Sequence, residues 1–250
     1  MCFDLDSAPP VPPISGAAVS HEDLVLEAAD GNRFAAFLAT PEEASRVGVV
    51  ILPDIRGLYR FYEELALRFA ERGCAAVAFD FFGRTAGVEK RGDDFEYMPH
   101  VERTTQEGVQ ADVAACVAHL RGAGCDTLFT VGFCFGGRNS WLAAASGHGL
   151  AGAIGFYGRP REGRPPGPGP MERTGDLAAP ILALQGGDDP GIPVEDSKAF
   201  DEALTAAGIE HEVVIYDGAP HSFFDRKQEE FAADSEDAWT RVLAFVERYA

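Results

Sequence analysis

The stretch TLFTVGFCFGGR, Thr127 to Arg138, joins a short apolar run to a cysteine flanked by glycines. LFTVGF has the length and the aromatic and β-branched content of a buried strand, and the residues after Cys134 can start a helix. Gly132 and Gly136 stand symmetrically about Cys134. In a G-x-C-x-G pattern between strand and helix, the central residue occupies a strained turn. The small flanking residues let the two elements approach closely enough to project its side chain. A thiol at that point also meets the positive end of the helix dipole, which favours thiolate. A buried cysteine beside packing glycines is the plainer reading, and it is the position between strand and helix that makes Cys134 a candidate nucleophile.

Working outward, the neighbouring segments repeat the alternation of strand and helix. LVLEAADGNRFAAFLA places two short apolar stretches on either side of Asp30-Gly31, a hairpin signal. VGVVILP, from Val47, is a continuous apolar run suited to a strand buried on both faces. FYEELALRFAERG sets Tyr62, Leu65, Ala66 and Phe69 at helical spacing and stops at Gly73. CAAVAFDFF reads as the next buried strand. GRTAGVEKRGDDFEYMPHVE has no clear period and is expected to be a loop near the site. Thr104 and Glu107 have the spacing of a capping box, ahead of a stripe formed by Val109, Val113, Cys116, Val117 and Leu120. AGAIGFY, PILALQ and EVVIY supply further strands, GRPREGRPPGPGPMERTG reads as a loop, and a last helix ends near VLAFVERYA. The alternation predicts an α/β fold with a mostly parallel sheet covered by helices on both faces.

The chain has 250 residues, 46% of them hydrophobic, and no linker divides it. One domain over residues 21–250 is expected, preceded by a proline-rich arm over residues 1–20. Forty acidic and 21 basic side chains leave a formal charge of -19. That field repels phosphate backbones and anionic lipid surfaces, so neither nucleic acid nor membrane is an expected partner. The five cysteines, Cys2, Cys74, Cys116, Cys125 and Cys134, are scattered and never form CxxC, which argues against a disulfide framework and against a zinc site. The opening residues lack the basic start and apolar run of a signal peptide, and no segment is apolar over a bilayer's thickness. A reducing cytoplasm is the expected location, and the chain is expected to act as a monomer or small homo-oligomer.

A nucleophile needs a base. Of the six histidines, His221 in YDGAPHSFF lies in a loop after the strand EVVIY and before the last helix, whereas His119 sits in a helical stripe. A loop histidine is often a solvated surface group, but this one has the third place in a Cys, acid, His order. The orienting acid belongs between them, and QGGDDPGIP offers Asp188 and Asp189. Adjacent side chains diverge, so one of the two serves; position alone does not choose, and Asp-Asp-Pro-Gly is also good turn chemistry.

With G-F-C-F-G-G, D-P-G-I-P and A-P-H-S-F in that order, the chain resembles the dienelactone hydrolase family, cysteine hydrolases of the α/β-hydrolase fold. The resemblance runs from about the first buried strand to the last helix. It implies that the acid stands first in a D-x-x-[VI]-P pattern, which selects Asp189 with Pro193 and leaves Asp188 in reserve. It also implies a thiol-gating acid after VGVVILP, where this chain has Asp54 in place of glutamate. The backbone N–H groups of Ile55 and Phe135 would form the oxyanion hole, and arginines would hold the substrate carboxylate. Arg84 matches the first of these by its place after a strand, and Arg226 lies one residue beyond the spacing of the second. The implied reaction opens a small ester or lactone, of dienelactone type and anionic if Arg84 faces the site, with no metal and no organic cofactor. Two other readings use the same residues. One is a broader carboxylesterase or thioesterase acting on neutral substrates. The other is a non-catalytic, redox-responsive binding protein with Cys134 as an oxidisable thiol, against which an intact Cys, Asp and His set counts.

Overall fold

The computed structural model describes residue 4, residues 6–92 and residues 94–250. Residues 1–3 and 5 of the expected arm, Cys2 among them, and Asp93 of the long loop lie outside the described residues. Strands β1 (Val19–Glu27) and β2 (Arg33–Pro41) form the expected hairpin, with Glu27 opposite Arg33. Its turn closes through Gly31, whose φ of 81° suits a residue without Cβ, and whose N–H donates to Ala28 O at 2.9 Å.

The chain continues through β3 (Val47–Leu52), α1 (Arg60–Ala70), β4 (Ala75–Phe79), α2 (Gly83–Ala86), α3 (Met98–Val101) and α4 (Gln106–Gly122). Then come β5 (Thr127–Phe133), α5 (Phe135–Ala144), β6 (Gly152–Phe156), β7 (Ile181–Gly186), α6 (Val194–Ala207), β8 (His211–Tyr216) and α7 (Ala232–Tyr249). Among the described residues the strands make one eight-stranded sheet in the order β1-β2-β4-β3-β5-β6-β7-β8. Among the described residues, β1 pairs antiparallel with β2 and β2 antiparallel with β4, and the pairs from β4 through β8 are parallel. The expected loop after β4 contains the short helices α2 and α3. The expected capping box does not form: Thr105, not Thr104, is the N-cap of α4 and accepts the N–H of Gly108 at 3.0 Å, and Gly108 has no side chain to reach back.

Each face of the sheet carries its own core. Phe61, Tyr62, Leu65 and Phe69 of α1 join Trp239, Val242 and Val246 of α7 on one face. Val113 and Leu120 of α4, Trp141 of α5 and Phe200 and Leu204 of α6 cover the other. This arrangement is the α/β-hydrolase architecture. The arm does more than lie over the surface. Ala8 and Val11 are buried, Ala8 O accepts the N–H of Arg226 at 3.1 Å, and Ile14 N–H donates to Glu71 at 3.0 Å. No helix among the described residues is long and apolar enough to cross a membrane.

Helix α5 is buried along its whole length, which requires an unusually close approach to the strands. A Cβ placed on Gly132 would lie 2.0 Å from Gly136 O, and one on Gly136 would lie 2.0 Å from Leu52 O and 2.4 Å from Pro53 O. These neighbours are backbone and have no rotamer with which to give way. Gly122, at the end of α4, has open space instead. Gly136→Ala is therefore expected to cost about 3 kcal/mol or more, whereas Gly122→Ala should be neutral or stabilising by up to about 1 kcal/mol. Urea unfolding of the two variants checks this, and a wild-type midpoint for Gly136→Ala would refute the close contact.

Candidate active site

Cys134, Asp189 and His221 converge at the carboxyl ends of the parallel strands, the edge where open α/β sheets gather their binding groups. Cys134 follows β5 directly and is the residue before α5, with φ 56° and ψ -111°. For a residue with a side chain this is a strained conformation, and it is held from both sides. Cys134 N–H donates to Phe156 O at 3.0 Å, and Cys134 O accepts from Arg138 N–H at 3.2 Å. The thiol is half-buried, whereas Cys74, Cys116 and Cys125 are buried.

His221 follows β8, and its Nδ1 lies 2.6 Å from Asp189 Oδ2, while Cys134 hydrogen-bonds the same ring. Asp189 is itself fixed by the N–H of Gly191, which donates to its other oxygen at 2.8 Å. Of the two adjacent aspartates, Asp189 is buried and faces the imidazole, and Asp188 is exposed. Burial works against the charged imidazolium, but the hydrogen bonds to Asp189 and Cys134 outweigh it and push the His221 pKa up to about 9. The ring of Tyr157, at the end of β6, packs against the imidazole with centroids 4.9 Å apart. Tyr157 also has a positive φ of 37°, a second strained residue on this edge.

Asp54 lies two residues past β3 and is 1% exposed. Burial pushes its carboxyl up to about 6; Arg56 opposes this shift, and negative charge on Cys134 adds to it. Its oxygens accept from Arg56 N–H at 2.8 Å and from Tyr59 O–H at 2.9 Å, and its own N–H donates to Tyr62 Oη at 2.9 Å. The guanidinium of Arg56 lies over the Tyr59 ring at 4.9 Å and 3.9 Å from Asp54. Gly57 N–H donates to Asp54 O at 3.1 Å and closes the turn that contains Ile55. Since Gly136 touches Leu52 and Pro53, this turn and the first turn of α5, which begins at Phe135, are neighbours.

Of the two arginines expected at the substrate, Arg84 is paired with protein carboxylates. Arg84 donates from Nη1 to Asp112 at 2.6 Å and from Nη2 to Asp30 at 2.7 Å, so its guanidinium is held between α4 and the β1-β2 turn. Arg226 is exposed and borders a groove of about 670 Å³ shared with Pro9–Pro13 of the arm and Arg68 of α1. Arg56 lies beside Asp54, the carboxyl that interacts with Cys134. Neither Arg56 nor Tyr59, Tyr62 and Tyr157 is marked as a site residue by the sequence. The available signal was position: each stands at or just beyond the end of a parallel strand, or at the start of the helix that follows one. Arg138, one turn into α5, is buried and donates to the carbonyls of Arg161, Gly167 and Pro168, fastening the Pro/Gly-rich loop to α5.

Comparison with known proteins identifies the family. The profile of the Dienelactone hydrolase family matches residues 34–250. The carboxymethylenebutenolidase of Rhodococcus opacus is 30% identical, with 100% of this chain and 97% of that protein covered. A protein of Escherichia coli (strain K12), provisionally named carboxymethylenebutenolidase, is 30% identical over 97% of this chain and 94% of its own length. The crystal structure of a provisionally named dienelactone hydrolase from Klebsiella pneumoniae subsp. pneumoniae superposes with a TM-score of 0.81 at 27% identity, covering 93% of this chain and 100% of that one. A match over this span, on a sheet that brings cysteine, histidine and aspartate to one edge, places the chain in the dienelactone hydrolase family of hydrolases.

Proposed function

We propose that the protein opens a small lactone or ester through an acyl-enzyme on Cys134. The observation that carries this reading is the line of Cys134, His221 and Asp189, with His221 hydrogen-bonded to both partners. His221 takes the thiol proton as the sulfur attacks the carbonyl carbon, and the C–O bond of the ester breaks as the imidazolium delivers that proton to the leaving oxygen. Water then attacks the thioester, giving its proton to His221, which passes it to the departing sulfur as the acid is released. Asp189 accepts from Nδ1–H throughout, which fixes the tautomer and stabilises the imidazolium. Ile55 and Phe135 N–H groups receive the charge that develops on the carbonyl oxygen. The names of the relatives point to a lactone of dienelactone type, whose ring-opening product is a dicarboxylate. An anionic group on that substrate would meet Arg56.

The pairing of Arg84 with Asp30 and Asp112 favours a second reading in which the same triad serves neutral esters. Dienelactone and a neutral aryl ester, assayed in parallel on wild type and on Cys134→Ala, separate the two. Cys134→Ala is expected to lose at least about a thousandfold on whichever substrate is turned over. A variant that kept wild-type rates on both would remove Cys134 as nucleophile.

The raised His221 pKa sets the alkaline limit. Its proton is held below about 9 and lost above it, so kcat/KM should fall as the pH rises through about 9. Asp189→Asn removes a hydrogen bond that raises this pKa, so the descending limb should move to lower pH, with activity down by up to about 10⁴-fold. An unmoved limb would assign it to another group.

Asp54 and the Cys134 sulfur each disfavour negative charge on the other. On this reading Asp54 gates the thiol by suppressing thiolate while the carboxyl is ionised, above about pH 6. Asp54→Asn should therefore speed carboxamidomethylation of Cys134 by iodoacetamide at pH 7.5, by about threefold to tenfold. A slower reaction would instead make Asp54 the base that draws off the thiol proton.

A further inference from the structure

Asp80 is the first residue after β4, and its carboxylate is almost wholly buried. Burying an ion there costs free energy unless a partner is supplied, and Arg91 supplies it from the loop after α2. Arg91 donates from Nε at 2.9 Å and from Nη2 at 2.5 Å to Asp80 Oδ2. The remaining donors go to Ala86 O at 3.1 Å and Gly87 O at 2.7 Å, and the guanidinium lies 4.8 Å from the centre of the Phe95 ring.

The second carboxylate oxygen is turned toward the site. Asp80 Oδ1 accepts the N–H of Leu58 at 3.4 Å, and the carboxylate also accepts the N–H of Phe82. Leu58 directly follows the turn that contains Ile55. At Gly57, φ 83°, a Cβ would lie 2.4 Å from Asp80 Oδ1, so this turn is pressed against the carboxylate. On the other side, the ring of Phe81 stacks on that of Phe135, centroids 4.6 Å apart and planes 27° from parallel. One carboxylate thus holds the turn that contains Ile55, while the residue next to it in the chain, Phe81, packs on Phe135.

We propose that the Asp80–Arg91 pair is a positioning device that sets the spacing of the two oxyanion donors; this rests on the acyl-enzyme reading above. Neither side chain touches substrate. Arg91 holds Asp80 in place, and Asp80 holds the Gly57–Leu58 backbone against the Phe81–Phe82 backbone. The spacing matters in both chemical steps, because attack by sulfur and attack by water each build charge on the same oxygen. Alkylation of the thiol by iodoacetamide builds no oxyanion and does not need it.

That difference gives the test. Arg91→Lys keeps the charge and loses the planar fork. Asp80→Asn combined with Arg91→Met removes both charges together, so no buried ion is stranded if the single variant folds poorly. Both are expected to lower kcat for ester hydrolysis by about tenfold to a hundredfold, with KM changed less than about twofold. Carboxamidomethylation of Cys134 should stay within about twofold of wild type, because thiolate character is untouched. Loss of ester turnover and alkylation by the same factor would mean that the pair sustains the thiolate or the fold as a whole, and would overturn the proposal. Wild-type ester turnover in the folded variants would overturn it as well. If Cys134→Ala kept ester turnover, the acyl-enzyme reading would fail and carry this proposal with it, a result distinct from a silent Arg91 variant.

Discussion

The contact between Gly136 and the end of β3 governs the geometry of the whole upper edge of the sheet. Backbone meets backbone there, with no side chain to adjust, so the start of α5 can sit in only one place relative to β3 and β5. Cys134 is then forced into its positive φ, and its carbonyl and N–H are spent on α5 and β6. The same approach brings the turn after β3 beside the first turn of α5. It also buries α5 completely, so that its polar residues need internal partners. Asn139 donates to Phe135 O, Ser140 donates to Ile154 O, and Arg138 reaches three loop carbonyls.

A chain with a formal charge of -19 has to place carboxylates near its thiol without making thiolate impossible. It does so by giving its buried aspartates partners. Asp54 has Arg56, Asp80 has Arg91, Asp189 has His221, Asp112 has Arg84, and Asp225 has the N–H groups of Ala8 and Lys227. Buried ion pairs of this kind add little net stability, but removing one partner leaves a costly charge behind, so the pairs lock neighbouring loops into one arrangement. The cations at this edge hold the protein's own carboxylates, and only Arg56 among them adjoins the thiol's neighbour Asp54.

The hairpin, the buried strands, the glycine stop of α1 and the order of the strand-end cysteine, aspartate and histidine could all be read in the sequence, because each depends on local turn chemistry or on the alternation of apolar runs. Other features depended on tertiary contacts. Thr104 and Thr105 differ as caps only because the Thr104 hydroxyl is already donated to Val101 O, closing the end of α3. Asp188 and Asp189 differ only in which one the chain turns toward His221. α5 showed no apolar stripe in FGGRNSW because a helix buried on every side has no polar face to reveal its period. Arg84 occupied a promising position, but Asp30 and Asp112, 54 and 28 residues away, decide where its guanidinium goes.

The arm also imposes an order on folding. Ala8 and Asp225 are joined across a separation of 217 residues, and Arg226 N–H closes on Ala8 O beside them. This is the loop that carries His221. The arm is also seated on α1, where Ile14 N–H donates to Glu71, so it bridges that helix and the histidine loop. The bridge to Asp225 is a non-local closure, which forms after its loop entropy can be met by contacts already made. A chain without the contacts of Ala8 would keep the turn at Cys134 and lose a fastening of the histidine loop.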